Sequence, residues 1–180
     1  MEEKHGKNNL KESGRGRAVA EVALGAALVC VCSLIRLPLA VPITLQTLGV
    51  FLVIFVLGEK KAAFCVLAYI CVGLLGLPVF SHGGGVQALF SVTGGYLVGL
   101  AVLPLVCLIL RAANKKRLPC EVGCAAGLLV CYAVGAVWYG AVSGSYAISV
   151  TVLPLLVPDA LKLLAASIIG RRVKNALKRT

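Results

Sequence analysis

Residues 152–166 read VLPLLVPDALKLLAA. Within this stretch stand Asp159, the only aspartate of the chain, and Lys162, three residues further on. Residues three apart on a helix are neighbours, with Cβ atoms about 5–6 Å apart, so the acid and the base share one face. The residues around them are so apolar that the first question is which solvent surrounds the helix. The whole chain answers it. Of 180 residues, 59% are hydrophobic and only 14% charged, with a mean hydropathy of +0.96. A soluble domain is closer to half apolar and about a quarter charged. The composition is that of an integral membrane protein with little chain to spare beyond its spans.

A transmembrane helix needs roughly 17–25 largely apolar residues. Six candidate runs are found, at about Ala18–Ile35, Leu45–Gly58, Ala62–Leu77, Val86–Leu110, Pro119–Val142 and Tyr146–Gly170. Open sheet edges do not lie in lipid, and a barrel would show alternating apolar and polar positions, so helices are expected. The expected fold is therefore an all-α bundle of six spans as one membrane domain, residues 18–172. A basic N-terminal segment (1–17) precedes it and a basic tail (173–180) follows. Charge supports the count. If the chain crosses six times, sixteen of the 18 Lys and Arg fall on one side, in the N-terminal segment, at Lys60 and Lys61, between Arg111 and Arg117, and in the tail. The opposite loops carry only Arg36, while Lys162 lies inside a span. The positive-inside rule then places both termini in the cytoplasm of a multi-pass cell-membrane protein. A net charge of +11 also admits nucleic-acid binding, but attraction of juxtamembrane basic residues to anionic lipid explains it better. The first apolar run has no small-x-small cleavage site and is flanked by Glu2, Glu3 and Glu12, so it reads as an uncleaved span.

Between the spans, several segments carry unusual residues. RLPLAVPITLQTLGV (36–50) has Pro38 and Pro42, which break helix, and Thr44, Gln46 and Thr47 in apolar surroundings. It reads as an outer loop that dips back onto the bundle, or as a plain connector. GLLGLPVFSHGGGVQALF (73–90) holds a glycine-rich turn and a lone His82, best read as a loop residue without a ligand. In SVTGGYLVGL (91–100) the Gly94–Gly95 pair permits close approach of a helix or a ligand. In span one, Ala23 and Ala27 make a strip of small residues for another helix of the bundle or for a partner subunit. Trp138, Tyr139 and Tyr146 fit an interfacial aromatic belt, or a surface on which a ligand ring stacks. All eight cysteines lie in or at the ends of spans. Cys120 and Cys124 share a helical face, but no partner cluster offers metal spacing, so they read as small packing residues and no metal is expected.

A charge in hydrocarbon is expensive, and such residues usually face a cavity and pair with something. Pro154 and Pro158 precede Asp159, and proline suits the first turn of a helix. A helix restarting near Pro158 would put Asp159 in its first turn, where the helix dipole favours a carboxylate. Interrupted helices of this kind line transporter sites. A self-neutralising structural ion pair is the plainer alternative, and a proton relay a third. Enzymatic readings are weak. There is no phosphate loop and no H-E-x-x-H, and too few acids are present for a Mg²⁺-dependent transferase. Neither catalysis nor a cofactor is expected.

Taken in order, VPITLQTLGV (41–50), GLPVF with the following glycines (76–85), TGGYLVG (93–99) and the P-D-x-x-K run beginning at Pro158 resemble the BioY family. These are the biotin-specific substrate-binding S components of energy-coupling factor (ECF) transporters. The likeness covers roughly residues 18–172, although the chain has SVTGGY where family members often read G-P-T-G-G-Y. The resemblance implies a six-helix subunit that captures biotin near the outer side, under the loop after span one. It implies docking to a transmembrane coupling protein carrying two ATPases, with Ala23 and Ala27 on the docking face, and so matches the missing phosphate loop. It also implies a site in which Asp159 accepts a ureido N–H and Lys162 donates to a carbonyl or offsets a charge. Thr44, Gln46 and backbone N–H groups near Gly94 and Gly95 would meet the valerate carboxylate, and Phe80, Phe90, Tyr96 or Trp138 would cover the rings. Buried polar groups without a ligand are costly, so the loop at 36–50 is expected to be mobile without biotin. Two other functions stay open: an S component for a different vitamin, and a membrane scaffold whose Asp159–Lys162 pair is structural.

Overall fold

A computed structural model describes residues 2–37, 43–80, 83–115, 117–144 and 152–177. The expected breaks at Pro38 and Pro42, and the readings of His82 and Tyr146, lie outside the described residues. Seven helices are described: α1 Glu2–Leu34, α2 Gln46–Leu57, α3 Glu59–Leu74, the short α4 Gln87–Phe90, α5 Gly94–Ala113, α6 Cys120–Ser143 and α7 Leu153–Leu177. Two residue pairs, β1 (Arg36–Leu37) and β2 (Ile43–Thr44), form an antiparallel flap with Arg36 opposite Thr44. By length and composition alone, residues Gly14–Leu34 of α1, all of α5 and all of α6 are apolar enough to cross a membrane.

The outer surface of the bundle is as apolar as its core. Only 28–39% of the most apolar window in each of those stretches is buried within the bundle, so many of their hydrophobic side chains are left partly or wholly exposed. Leu24, Val31, Phe64, Ile109 and Val137 are each more than half exposed, which suits a lipid environment and not water. This is a membrane protein. With lipid as apolar as the core, helices associate through close packing of small residues. The α5–α6 pair, the most extensive contact, illustrates this: a Cβ placed on Gly99 would stand 2.8 Å from the Cα of Cys131. Next in extent is α2 on α7. The interior is filled by Tyr69, Phe51, Ile54 and Leu103, all fully buried.

Three glutamates gather at the basic end. Glu21 takes Arg17 at 3.1 Å and also Lys61; Glu59 pairs with Arg111, and Glu121 with Arg171. Asp159 is twelve residues from Arg171 on α7, about 18 Å along a helix. The two charged regions are therefore well apart.

Three details differ from expectation. The helix of the first span extends back to Glu2, through the basic segment. The run at 86–110 is two helices, because Ser91 is extended (ψ 166°) and interrupts it. And α7 begins at Leu153, so Pro158 is inside the helix and Asp159 is not in its first turn. The helix dipole therefore does not hold the carboxylate; side chains from other helices do.

Candidate substrate-binding site

Asp159 is 3% exposed and Lys162 8%. Their spacing on α7 brings Lys162 Nζ to 2.6 Å from Asp159 Oδ1. The same oxygen accepts from Thr47 Oγ1 at 2.8 Å, at the start of α2, and Oδ2 accepts from the Tyr132 hydroxyl at 2.7 Å, in mid-α6. Lys162 Nζ also donates to the Thr44 carbonyl of β2 at 2.6 Å and lies 3.3 Å from Thr47 Oγ1. Four segments thus converge on one ion pair. The carboxylate has three donors, and the ammonium has a carbonyl and a hydroxyl besides the acid. This is the satisfied arrangement that burial of charge demands. Breaking it would leave an uncompensated buried charge.

Beside the pair lies a cavity of about 100 Å³. Thr44, Gln46, Thr47, Thr93, Tyr132, Asp159 and Lys162 supply its polar lining. Phe80, Tyr96, Leu97, Leu100 and Leu128 supply apolar wall. A limited set of placed polar groups in a pocket with apolar walls is the usual make-up of a small-molecule site.

The wall residues are positioned by the segments around them. Phe80 is 4% exposed, meets Tyr69 edge-to-face at 5.5 Å and 87°, and fits over Gly73, where a Cβ would clash with the ring at 2.0 Å. Gly83, at φ 104°, closes the turn that bonds back to Phe80 in both directions. The Tyr69 hydroxyl donates to the Val79 carbonyl at 3.0 Å and accepts from Gln46 Nε2 at 3.0 Å. The Tyr96 ring lies against Gly135.

A sequence model of the BioY family matches residues 6–179. The chain belongs to the BioY family. A biotin transporter BioY2 of Lactococcus lactis is 33% identical over 165 residues, covering 88% of this chain and 91% of that protein. A biotin transporter BioY of Thermotoga maritima is 35% identical over 167 residues, covering 88% and 96%. In three dimensions this BioY chain matches a crystal structure of the S component for biotin from an ECF-type ABC transporter. The TM-score is 0.79 over 91% of this chain and 93% of that one, at 23% identity. That match shows the fold.

Of the residues expected at the site, Asp159, Lys162, Thr44, Gln46, Phe80 and Tyr96 line the cavity of this BioY chain. Gly94 and Gly95 stand outside the lining. The Gly94 N–H donates to the Ser91 carbonyl at 3.0 Å, and a Cβ there would meet the Leu89 carbonyl oxygen at 1.8 Å; at Gly95 it would meet Trp138 at 2.2 Å. Both glycines serve close packing at the start of α5. Phe90 is 72% exposed, and Trp138 Nε1 donates to the Ser91 carbonyl at 3.0 Å, so neither walls the cavity. Ala23 and Ala27 are exposed on α1, whereas Gly25 and Ala26 face inward against α3 and its neighbours. Sequence reasoning missed Tyr132 and Thr47. A phenol in mid-span, far from either interface, was the available signal for Tyr132. Thr47 was visible as one polar group among three, with nothing to single it out.

Proposed function

We propose that this protein is the biotin-binding S component of an ECF-type transporter: a substrate-capture subunit and not an enzyme. The observation that carries the reading is the four-segment polar cluster around Asp159 and Lys162 in a cavity with apolar walls, in a chain whose relatives are named biotin transporters. Biotin's ureido group offers two N–H donors and one C=O. The Asp159 carboxylate is the acceptor for an N–H, and Lys162 or the Tyr132 hydroxyl the donor to the carbonyl. Phe80 and Tyr96 cover the ring system, and Thr44 and Gln46 lie toward the flap for the carboxylate tail. At about 100 Å³ the cavity is tighter than the roughly 300–1,000 Å³ of ordinary ligand sites. Accommodating biotin therefore requires the β1–β2 flap to yield, and the Lys162–Thr44 carbonyl bond is the tie that releases it.

In this reading the chain crosses the membrane six times, with both termini and the Glu21, Glu59 and Glu121 ion pairs cytoplasmic, and the flap on the outer side. Basic residues at the inner end meet anionic lipid. The exposed Ala23–Ala27 strip is where a transmembrane coupling subunit, joined to two ATPases, docks.

Calorimetry of biotin with the purified protein in detergent tests the site. High-affinity binding is expected in the wild type. Loss of a charged hydrogen bond, worth about 1.5–3 kcal/mol, should weaken it roughly 10–100-fold in Asp159→Asn and Lys162→Met. Wild-type protein that binds no biotin, or variants that bind as well as it does, would overturn the reading. Trypsin cleavage after Arg36 should slow when biotin is added.

A further inference from the structure

Far from the biotin site, three of the eight cysteines converge. Cys107 on α5 and Cys120 and Cys124 on α6 have sulfurs all within 4.8 Å of one another, the Cys107 and Cys124 sulfurs being 4.0 Å apart. The sequence shows only the i, i+4 pair on α6; packing of α5 supplies the third thiol. This differs from the other buried cysteines. Cys32 and Cys65 sit singly against Gly49 and Gly25, filling space as small apolar groups do. The three sulfurs at the α5–α6 contact face each other instead. The contact is tight there: a Cβ on Gly123 would lie 2.7 Å from Cys107 Sγ.

We propose that Cys107, Cys120 and Cys124 form a binding site for a thiophilic cation of the Zn(II) class. Zn–S bonds of about 2.3 Å put sulfurs about 3.8 Å apart around a tetrahedral ion. The Cys107–Cys124 separation already fits, and the remaining sulfurs close by less than ~1 Å, within reach of side-chain rotation. Cys107 and Cys124 are fully buried, while Cys120 is half-buried and lines a solvent-connected cavity of about 350 Å³ that includes Arg111, Lys174 and Glu121. That cavity gives the ion an entry path and a water for the fourth position. Three thiolates around a divalent ion carry one net negative charge, which the cavity's bases offset: Arg111, Arg117, Arg171 and Lys174 outnumber its acids, Glu59 and Glu121. On binding, the thiols release their protons to solvent. The ion would clamp α5 to α6 beside the basic connection between them, independently of biotin.

The test uses the full-length protein in detergent, reduced with a phosphine and stripped with chelator. Titration with Zn(II) should give one ion per chain. Titration with Cd(II) should give the ultraviolet charge-transfer band of thiolate ligation. Cys120→Ser, at the accessible corner, should weaken Zn(II) by more than the roughly 10–100-fold that loss of an outer-shell partner costs. Cys124→Ala should do the same, and Cys71→Ser should change nothing. Bound Zn(II) should also block alkylation of Cys120. Retained biotin binding or an unchanged thermal midpoint shows that each variant is folded. No Zn(II) binding by wild type, equal loss in Cys71→Ser, full affinity in a folded Cys120→Ser, or a disulfide between these cysteines in freshly isolated membranes would overturn the proposal.

Discussion

Asp159 has two oxygens and three donors, and the donors are not equivalent. Lys162 neutralises the charge; Thr47 and Tyr132 orient the carboxylate from opposite sides. Tyr132→Phe removes only the hydroxyl that holds Oδ2. The ring continues to fill the core, so the protein should fold, and biotin affinity should fall roughly 10–100-fold by calorimetry, one charged hydrogen bond's worth. Lys162→Met is harsher, because it strands a buried carboxylate. It should also lower the thermal midpoint, since uncompensating one member of a buried pair costs about 3–5 kcal/mol. Equal thermal midpoints for Lys162→Met and wild type would mean that the pair contributes no net stability.

At the level of elements, the cavity is a by-product of how tightly helices and turns approach. Phe80 walls it only because Gly73 of α3 leaves room for the ring. Gly73→Ala should push Phe80 toward the cavity or force α3 outward. Overpacking of this kind costs about 1–3 kcal/mol, seen as a lower midpoint of thermal unfolding with weaker biotin binding. The flap makes the opposite demand. Among the described residues, Lys162 ties it to α7 through the Thr44 carbonyl, and the Leu45 N–H donates to the Ile35 carbonyl. In the proposed binding step the flap opens, and the Lys162 bond to the Thr44 carbonyl is the one that must yield. Hydrogen exchange at 43–47 should slow on adding biotin while exchange in the α5–α6 pair stays constant.

Over the whole molecule, the proposed orientation rests on charge and the proposed docking face on small residues. The ion pairs of Glu21, Glu59 and Glu121 lie among the lysines and arginines at one end. In a Cys71→Ser, Cys120→Ser background, Lys60→Cys should react with an impermeant maleimide only after cells are permeabilised, whereas Arg36→Cys should react in intact cells. The reverse pattern would invert the proposed topology. Ala23→Trp places a bulky ring on an exposed strip remote from the cavity. It should leave biotin binding by the purified subunit unchanged and abolish uptake in cells that also supply the coupling subunits.

By itself the sequence determined the membrane environment, the basic end, and the pairing of Asp159 with Lys162. The first two are sums over many residues, and the third is a consequence of three-residue spacing on one helix. It also indicated Phe80, Tyr96, Thr44 and Gln46 as lining, through the resemblance of their motifs. Only the tertiary structure decided what meets the acid: Thr47 lies 112 residues away along the chain and Tyr132 27 away. It likewise decided that Pro158 sits within α7, that Gly94 and Gly95 are taken up by packing, and that Cys107 joins Cys120 and Cys124. The reason is the same in each case. Helical periodicity orients side chains about their own axis, but rotation and slide of one helix against another are set by close packing, which depends on all the helices together.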